Sequence, residues 1–256
     1  MLMVAVLLGI IYLRQDYTTE GVMNLNGALF LFLTNMTFQN AFAVVNVFCQ
    51  ELPIFLREHQ SGMYRTDVYF LSKTIADLPF FILFPTIFSA VAYFMIGLNE
   101  SVERFLVCTL IIIIVSNVSC SFGYMISCIA NSVTMALSLA PPFIVPIMMF
   151  GGFFLNNASV PVYFVWLKYI SWFYYGNEAL MINQWKGVEG IECGDSPSCT
   201  PDGEAVLDSL NFDKVNPPRI SSLDNEVRDI LLLLALMGAF RIIAFLALYV
   251  RASRRK

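Results

Sequence analysis

A chain of 256 residues that is 58% hydrophobic and only 13% charged, with a mean hydropathy of +0.70, lies outside the composition of soluble globular domains. Its formal charge of -4, from 15 basic against 19 acidic residues, supplies no basic excess, and a nucleic-acid partner is not expected. What remains is an integral membrane protein in the lipid bilayer, with helical spans, because the apolar runs lack the alternation of a lipid-facing barrel.

In chain order, the run 1–13 is apolar yet too short to cross a hydrocarbon core of about 30 Å, which takes roughly 20 helical residues. No basic n-region precedes it, as a signal peptide would require. It is expected to be the tail of a first span whose beginning is missing, and the chain the C-terminal part of a larger protein. Further spans are expected at 25–48, 74–97, 104–126 and 133–155, so that 14–155 holds spans two to five, with a last span at 230–250. The tail 251–256, RASRRK, is the densest basic cluster, and positive-inside logic puts Arg251, Arg254, Arg255 and Lys256 in the cytosol. Counting back makes 57–73 cytosolic and puts 14–24, 98–103 and 156–229 on the opposite face.

The run 160–185, VPVYFVWLKYISWFYYGNEALMINQW, imitates another span. Crossing there would move the basic tail outside, and Lys168 and Glu178 stand within the run. An external re-entrant or interfacial helix pair is expected instead, with Tyr163, Trp166, Tyr169, Trp172, Tyr174 and Tyr175 at headgroup level.

Of six cysteines, Cys49, Cys108, Cys120 and Cys128 fall in or beside spans and act as small apolar residues. Cys193 and Cys199 flank a Gly/Pro/Ser loop that lets their sulfurs meet, so a disulfide is expected in an oxidising compartment. Zinc is disfavoured because neither has a further ligand close by, and no metal site is expected. N-x-[ST] triplets occur at Asn35, Asn99, Asn117 and Asn157. Asn35 and Asn117 lie inside spans and Asn99 in a tight loop, which leaves Asn157 as the candidate glycosylation site.

The function classes narrow by elimination. A single histidine rules out H-E-x-x-H chemistry, and no catalytic constellation stands out at depth, so no catalytic residue is expected in this chain. Glu51 and Asp77 stand at span ends, and the deep charge is Arg241, read first as a structural arginine bonded to a neighbouring span rather than a substrate ligand. Ion coupling therefore lacks a relay. No G-x-x-x-x-G-K-[ST] occurs, so an ATP-driven mechanism would need its ATPase elsewhere.

The charged island REHQSGMYRTDVYF at 57–70 holds that histidine, His59. Tyr64, Val68, Leu71 and Ile75 recur at helical spacing as one apolar face, while Arg57, Ser61 and Arg65 line another. An amphipathic connecting helix over about 54–73, lying along the cytosolic surface with a bend at Gly62, is expected.

Two runs carry a resemblance. EHQSGMYRTDVYFLSKTIADLP at 58–79 resembles the connecting helix and start of the third span of the White-type half-transporters, the G subfamily of the ATP-binding-cassette class. GGFFLNNASVPVYFVWLKYISWFYYGNEAL at 151–180 resembles the end of their fifth span and their external re-entrant helices, and the similarity covers essentially the whole chain. The resemblance implies an all-α, six-span membrane domain joined to a nucleotide-binding domain that carries ATP and Mg. It implies a second half-transporter of Brown or Scarlet type as partner, and small aromatic cargo derived from guanine and tryptophan, moved into pigment granules or other vesicles or across the plasma membrane. A passive channel or scaffold, or a lipid or xenobiotic exporter, is the alternative.

The resemblance also implies site residues. A central slit would be lined by Phe32, Asn35, Met36 and Gln39 from the second span and by Val145, Met148 and Met149 from the fifth, closed outward by Phe153 and Phe154. Asn35 and Gln39 share a helical face, where their amides suit either a planar polar ring or the stapling of one span to another. Pro141, Pro142 and Pro146 predict a kinked fifth span, and Gly151 and Gly152 a bend after it. Glu58, Tyr64 and Arg65 are expected to meet the ATP-driven domain.

Overall fold

The computed structural model describes residues 1–99, 101–154, 162–191, 202–210 and 225–254, and the protein is an all-α membrane fold. Helix α2, Thr19–Gln60, sets the frame. Thr18 caps it by accepting from the Gly21 amide at 3.1 Å, and Glu20 complements the helix dipole in the first turn. At 42 residues it is about 63 Å long, twice the hydrocarbon thickness.

The expected connecting helix at 54–73 is not a separate element. Residues up to Gln60 continue α2 through Pro53, a turn follows, and helix α3, Thr66–Ile96, begins at once. Phe48, Leu52, Phe55 and Leu56 recur at i, i+4, i+7 and i+8, all buried, so the apolar stripe of α2 runs on past the span expected at 25–48 and the helix runs with it. Gly62, at φ +78°, makes the turn that the sequence reads as a bend. Val68, Leu71 and Ile75 point outward, 56%, 61% and 61% exposed, whereas Tyr69 and Phe70 pack inward.

Gly97, in the left-handed region at φ +77°, ends α3 with its amide donating to the Tyr93 carbonyl. Helix α4, Val102–Ile129, is the central post, packed on α2, α3 and the last helix. Its buried Ser119, Ser121 and Ser127 return their hydroxyls to their own helix backbone, which frees a polar residue to sit in an apolar core. A Cβ on Gly123 would stand 2.9 Å from the Ala41 carbonyl oxygen, so glycine there sets the close approach of α4 to α2.

Helix α5, Val133–Met149, is shorter than the expected 133–155 and continues through its three prolines. Gly152, at φ +80°, turns the chain after it. Helix α1, Leu2–Ile11, packs on α3. Helices α6, Val165–Ile170, and α7, Trp172–Trp185, follow a short 3-10 turn. Even α7, 14 residues and about 21 Å, is too short to cross. Tyr163, Trp166 and Tyr169 are exposed, but Trp172, Tyr174 and Tyr175 are core residues rather than headgroup anchors, with Trp172 Nε1 donating to Thr37 at 3.2 Å. Helix α8, Gly203–Ser209, and helix α9, Asn225–Ser253, complete the fold.

Contacts sort the helix ends onto two faces. On the tail face, Arg251 donates to the carbonyls of Cys128 and Ala130, tying the end of α9 to the end of α4. On the opposite face, Arg104 donates to the carbonyls of Asn183 and Gln184, tying the start of α4 to the end of α7.

Candidate functional site

A membrane helix facing lipid is apolar, so half-exposed amides on α2 mark a special surface. Gln39 Nε2 donates to Asn35 Oδ1 at 2.7 Å, as the i, i+4 spacing requires. Asn35 Nδ2 is buried and has no hydrogen-bond partner among the described residues. Phe38 and Phe42 stand on the same partly exposed side, stacked at 5.8 Å. Across the seam, Met148 Sδ lies 3.9 Å from the Thr34 hydroxyl, and Val145 and Met149 are exposed. The amides, the two aromatic rings and the flexible thioethers of α5 thus share one surface.

Phe32 and Met36 do not join it. Both are fully buried, and Phe32 packs edge-on against Phe88 of α3 at 5.3 Å. They continue the core stripe with Leu29 and Leu33, so the helix turns them into its own subunit. Phe38 and Phe42 take their place. Their spacing from Asn35 and Gln39 carries that signal in the sequence.

Toward the opposite face the seam ends in an aromatic cluster. Phe30 of α2 stacks on Phe153 at 4.6 Å and meets Phe154 edge-on at 5.3 Å. Gly151 seats this cluster, since a Cβ there would fall 2.8 Å from Phe173 Cβ. Phe153 and Phe154 remain 40% and 57% exposed, so the cluster is open on one side. The cluster is expected to close the seam: Phe153→Ala together with Phe154→Ala should raise passive solute leak from vesicles holding the full-length protein several-fold, and unchanged leak would remove that role.

At the tail face, Tyr64 donates its hydroxyl to the Glu58 carboxylate, and His59 Nδ1 lies 3.0 Å from the Tyr64 carbonyl oxygen. Phe55 stacks with His59, Tyr64 and Tyr69, at 4.2 Å for Tyr69. Burial, then the Glu58 hydrogen bond, pushes the Tyr64 phenol up to about 12. Arg65 projects from this packed turn, its side chain 84% exposed, and pairs with Asp67 at 3.1 Å. So exposed a pair contributes about 0–1 kcal/mol, which leaves the guanidinium available to a partner.

Two charge groups escape a reading of the sequence. Lys73 lies 2.9 Å from Glu51 and 3.4 Å from Asp77, whose carboxylate accepts from Tyr124 at 2.6 Å, joining α2, α3 and α4 in the tail-side half. Arg228 Nη2 lies 3.1 Å from Glu178 and 3.2 Å from Asp229, two fully buried carboxylates that clamp α7 to α9. Nearby, Lys168 holds its ammonium 4.1 Å from the Tyr174 ring centre. Burial pushes that ammonium down to about 8, with Glu178 opposing. Arg241 donates to Ser121 of α4 at 3.1 Å, as a structural arginine does.

Cys193, Cys199 and Asn157 lie outside the described residues. Among the described residues no group of three or more His, Cys, Asp or Glu is placed to hold a metal ion.

The chain matches the family described as ABC-2 type transporter over residues 1–185. It is 52% identical over 257 residues to Protein white of Drosophila melanogaster, covering 99% of this chain and 36% of that protein. It is 37% identical to the ABC transporter ATP-binding protein/permease wht-1 of Caenorhabditis elegans, covering 98% of this chain and 37% of that protein. To Protein scarlet of Drosophila melanogaster it is 33% identical, covering 93% and 35%. The chain thus spans about a third of the length of the curated relatives it matches.

Proposed function

The chain belongs to the ABC-2 type transporter family, and on that premise we propose that it forms one membrane half of an ATP-driven heterodimeric transporter for small planar aromatic metabolites. The observation that carries this reading is the half-exposed stripe on α2, where the Asn35–Gln39 amide pair stands beside Phe38 and Phe42. Polar groups left to lipid cost several kcal/mol each, so the stripe needs a second half-transporter across a cargo path. Amides in plane with a heterocycle and phenyl rings against its face suit guanine- and tryptophan-derived pigment precursors. A Scarlet- or Brown-type half is the proposed partner, and pigment-granule or other vesicle membrane, or the plasma membrane, the site of action.

Positive-inside bias supports a cytosolic tail face, with the Phe30–Phe153–Phe154 cluster toward the lumen or exterior. The residues present do not fit a nucleotide or its Mg: the sequence holds no phosphate-cradling G-x-x-x-x-G-K-[ST]. ATP hydrolysis is assigned to a nucleotide-binding domain outside this chain, and that domain is proposed to press on the turn at 58–65. Because α2 is one helix from Glu58 to Asn35, about 35 Å of continuous helix would carry the push to the amide pair. Arg65→Glu is expected to cut coupled transport several-fold, with ATP hydrolysis and cargo binding retained and stability changed by about 0.5 kcal/mol or less. Loss of cargo binding instead would put the turn in the pathway.

The test is uptake of labelled guanine and tryptophan-pathway compounds into vesicles holding the full-length protein with each candidate partner. ATP-dependent uptake supports the proposal. ATP-independent flux identifies a channel, and movement of lipid or xenobiotics without these compounds identifies an exporter of another class.

A further inference from the structure

On the tail face a groove of about 570 Å³ runs between the end of α4 and the end of α9, within the size range of small-molecule sites. Its walls are Ile129 of α4 with Ile243, Leu246, Ala247 and Val250 of α9, which recur at i, i+3, i+4 and i+7 along one helix face. Ile129, Ile243, Leu246 and Val250 are 53%, 45%, 53% and 46% exposed, although α4 and α9 pack closely elsewhere. At one end the lining changes character to Asn131, Arg251 and Arg254.

Arg251 is held in place from behind. One of its terminal nitrogens donates to the carbonyls of Cys128 and Ala130, which fixes the guanidinium against the mouth of the groove. Arg254 follows one turn later, exposed, and Arg255 and Lys256 succeed it in the sequence. An apolar channel in a membrane protein that ends in cationic groups at the bilayer edge has the layout of a phospholipid, chain along the walls and anion at the mouth.

We propose that this groove binds one phospholipid with an anionic headgroup, an acyl chain lying along Ile243, Leu246 and Val250 and the headgroup meeting Arg254 and Arg251. The site is separate from the α2–α5 seam and stands whatever cargo that seam carries. Phosphate geometry suits arginine, whose planar fork offers paired donors, and Asn131 adds an amide at the same mouth.

Native mass spectrometry tests it. The purified full-length protein is equilibrated with phosphatidylserine and phosphatidylcholine of matched acyl chains, and the retained lipid is counted. Phosphatidylserine is expected to be retained preferentially. Arg254→Glu is expected to lower that preference on the order of fivefold, the change that about 1 kcal/mol per basic residue gives, and Arg254→Lys to keep most of it. Ala247→Phe, which fills the groove, is expected to lower retention of both lipids. Equal retention of the two lipids, or a preference untouched by Arg254→Glu, overturns the proposal. So does displacement by soluble glycerol phosphate as effective as that by phosphatidylserine, because the acyl chain would then contribute nothing.

Discussion

Replacing Asn35 and Gln39 together with leucine is expected to lower ATP-driven uptake of guanine-derived cargo at least tenfold while the two halves still assemble. The two amides are joined by a 2.7 Å hydrogen bond, with Asn35 Nδ2 buried and Gln39 on the half-exposed side. A heterocycle would meet the pair through the half-exposed Gln39 amide, and each hydrogen bond at a dry site is worth about 1 kcal/mol or more in discrimination. Leucine keeps the bulk and removes the polarity, so packing across the seam survives. If co-purification of the halves falls in step with transport, the amides staple the helices instead, the role that the sequence also allows.

Arg228→Leu is expected to have the largest effect on stability. It leaves Glu178 and Asp229 buried side by side without their shared cation, and removing one member of such a group costs about 3–5 kcal/mol. The Arg228 side chain is 34% exposed, so water relieves part of this and the lower end is expected. A loss of about 3 kcal/mol corresponds to a fall in Tm of roughly 6–12 °C for a chain of this size. Adding Glu178→Gln and Asp229→Asn to Arg228→Leu should recover most of the loss. If the triple variant melts as low as the single one, the arginine contributes packing rather than charge.

The helical membrane fold follows from composition; the stretches 25–48, 104–126 and 230–250 each lie within one helix, and 74–97 overruns α3 only by Gly97. The island at 57–70 misleads because its charges look like a boundary. Charge marks where a helix leaves the bilayer, not where it ends, and Phe55 and Leu56 keep α2 going by joining a buried cluster, with Phe55 stacked on Tyr69 of α3. Asn35 and Gln39 are legible as a pair because i, i+4 spacing is local. Phe32 and Met36 fail as slit residues because helix rotation is set by the neighbours, here Phe88, which no local pattern reveals. The Glu51–Lys73–Asp77–Tyr124 group and the Arg228 clamp each join residues from different helices, so no local pattern reveals either group as a whole. Trp172 shows the same limit: an aromatic run suggests headgroups, while only tertiary packing decides which rings turn inward.

The most direct test concerns the environment of Phe38, the ring beside the amide pair. With the unaltered protein as background for the native cysteines, Phe38→Cys in the full-length protein paired with its partner is exposed to a water-soluble and to a lipid-soluble maleimide. A cargo path across the seam predicts labelling by the water-soluble reagent, slowed several-fold by guanine-derived cargo. Labelling by the lipid-soluble reagent alone, unaffected by cargo, would turn the α2 stripe toward the bilayer and contradict the account.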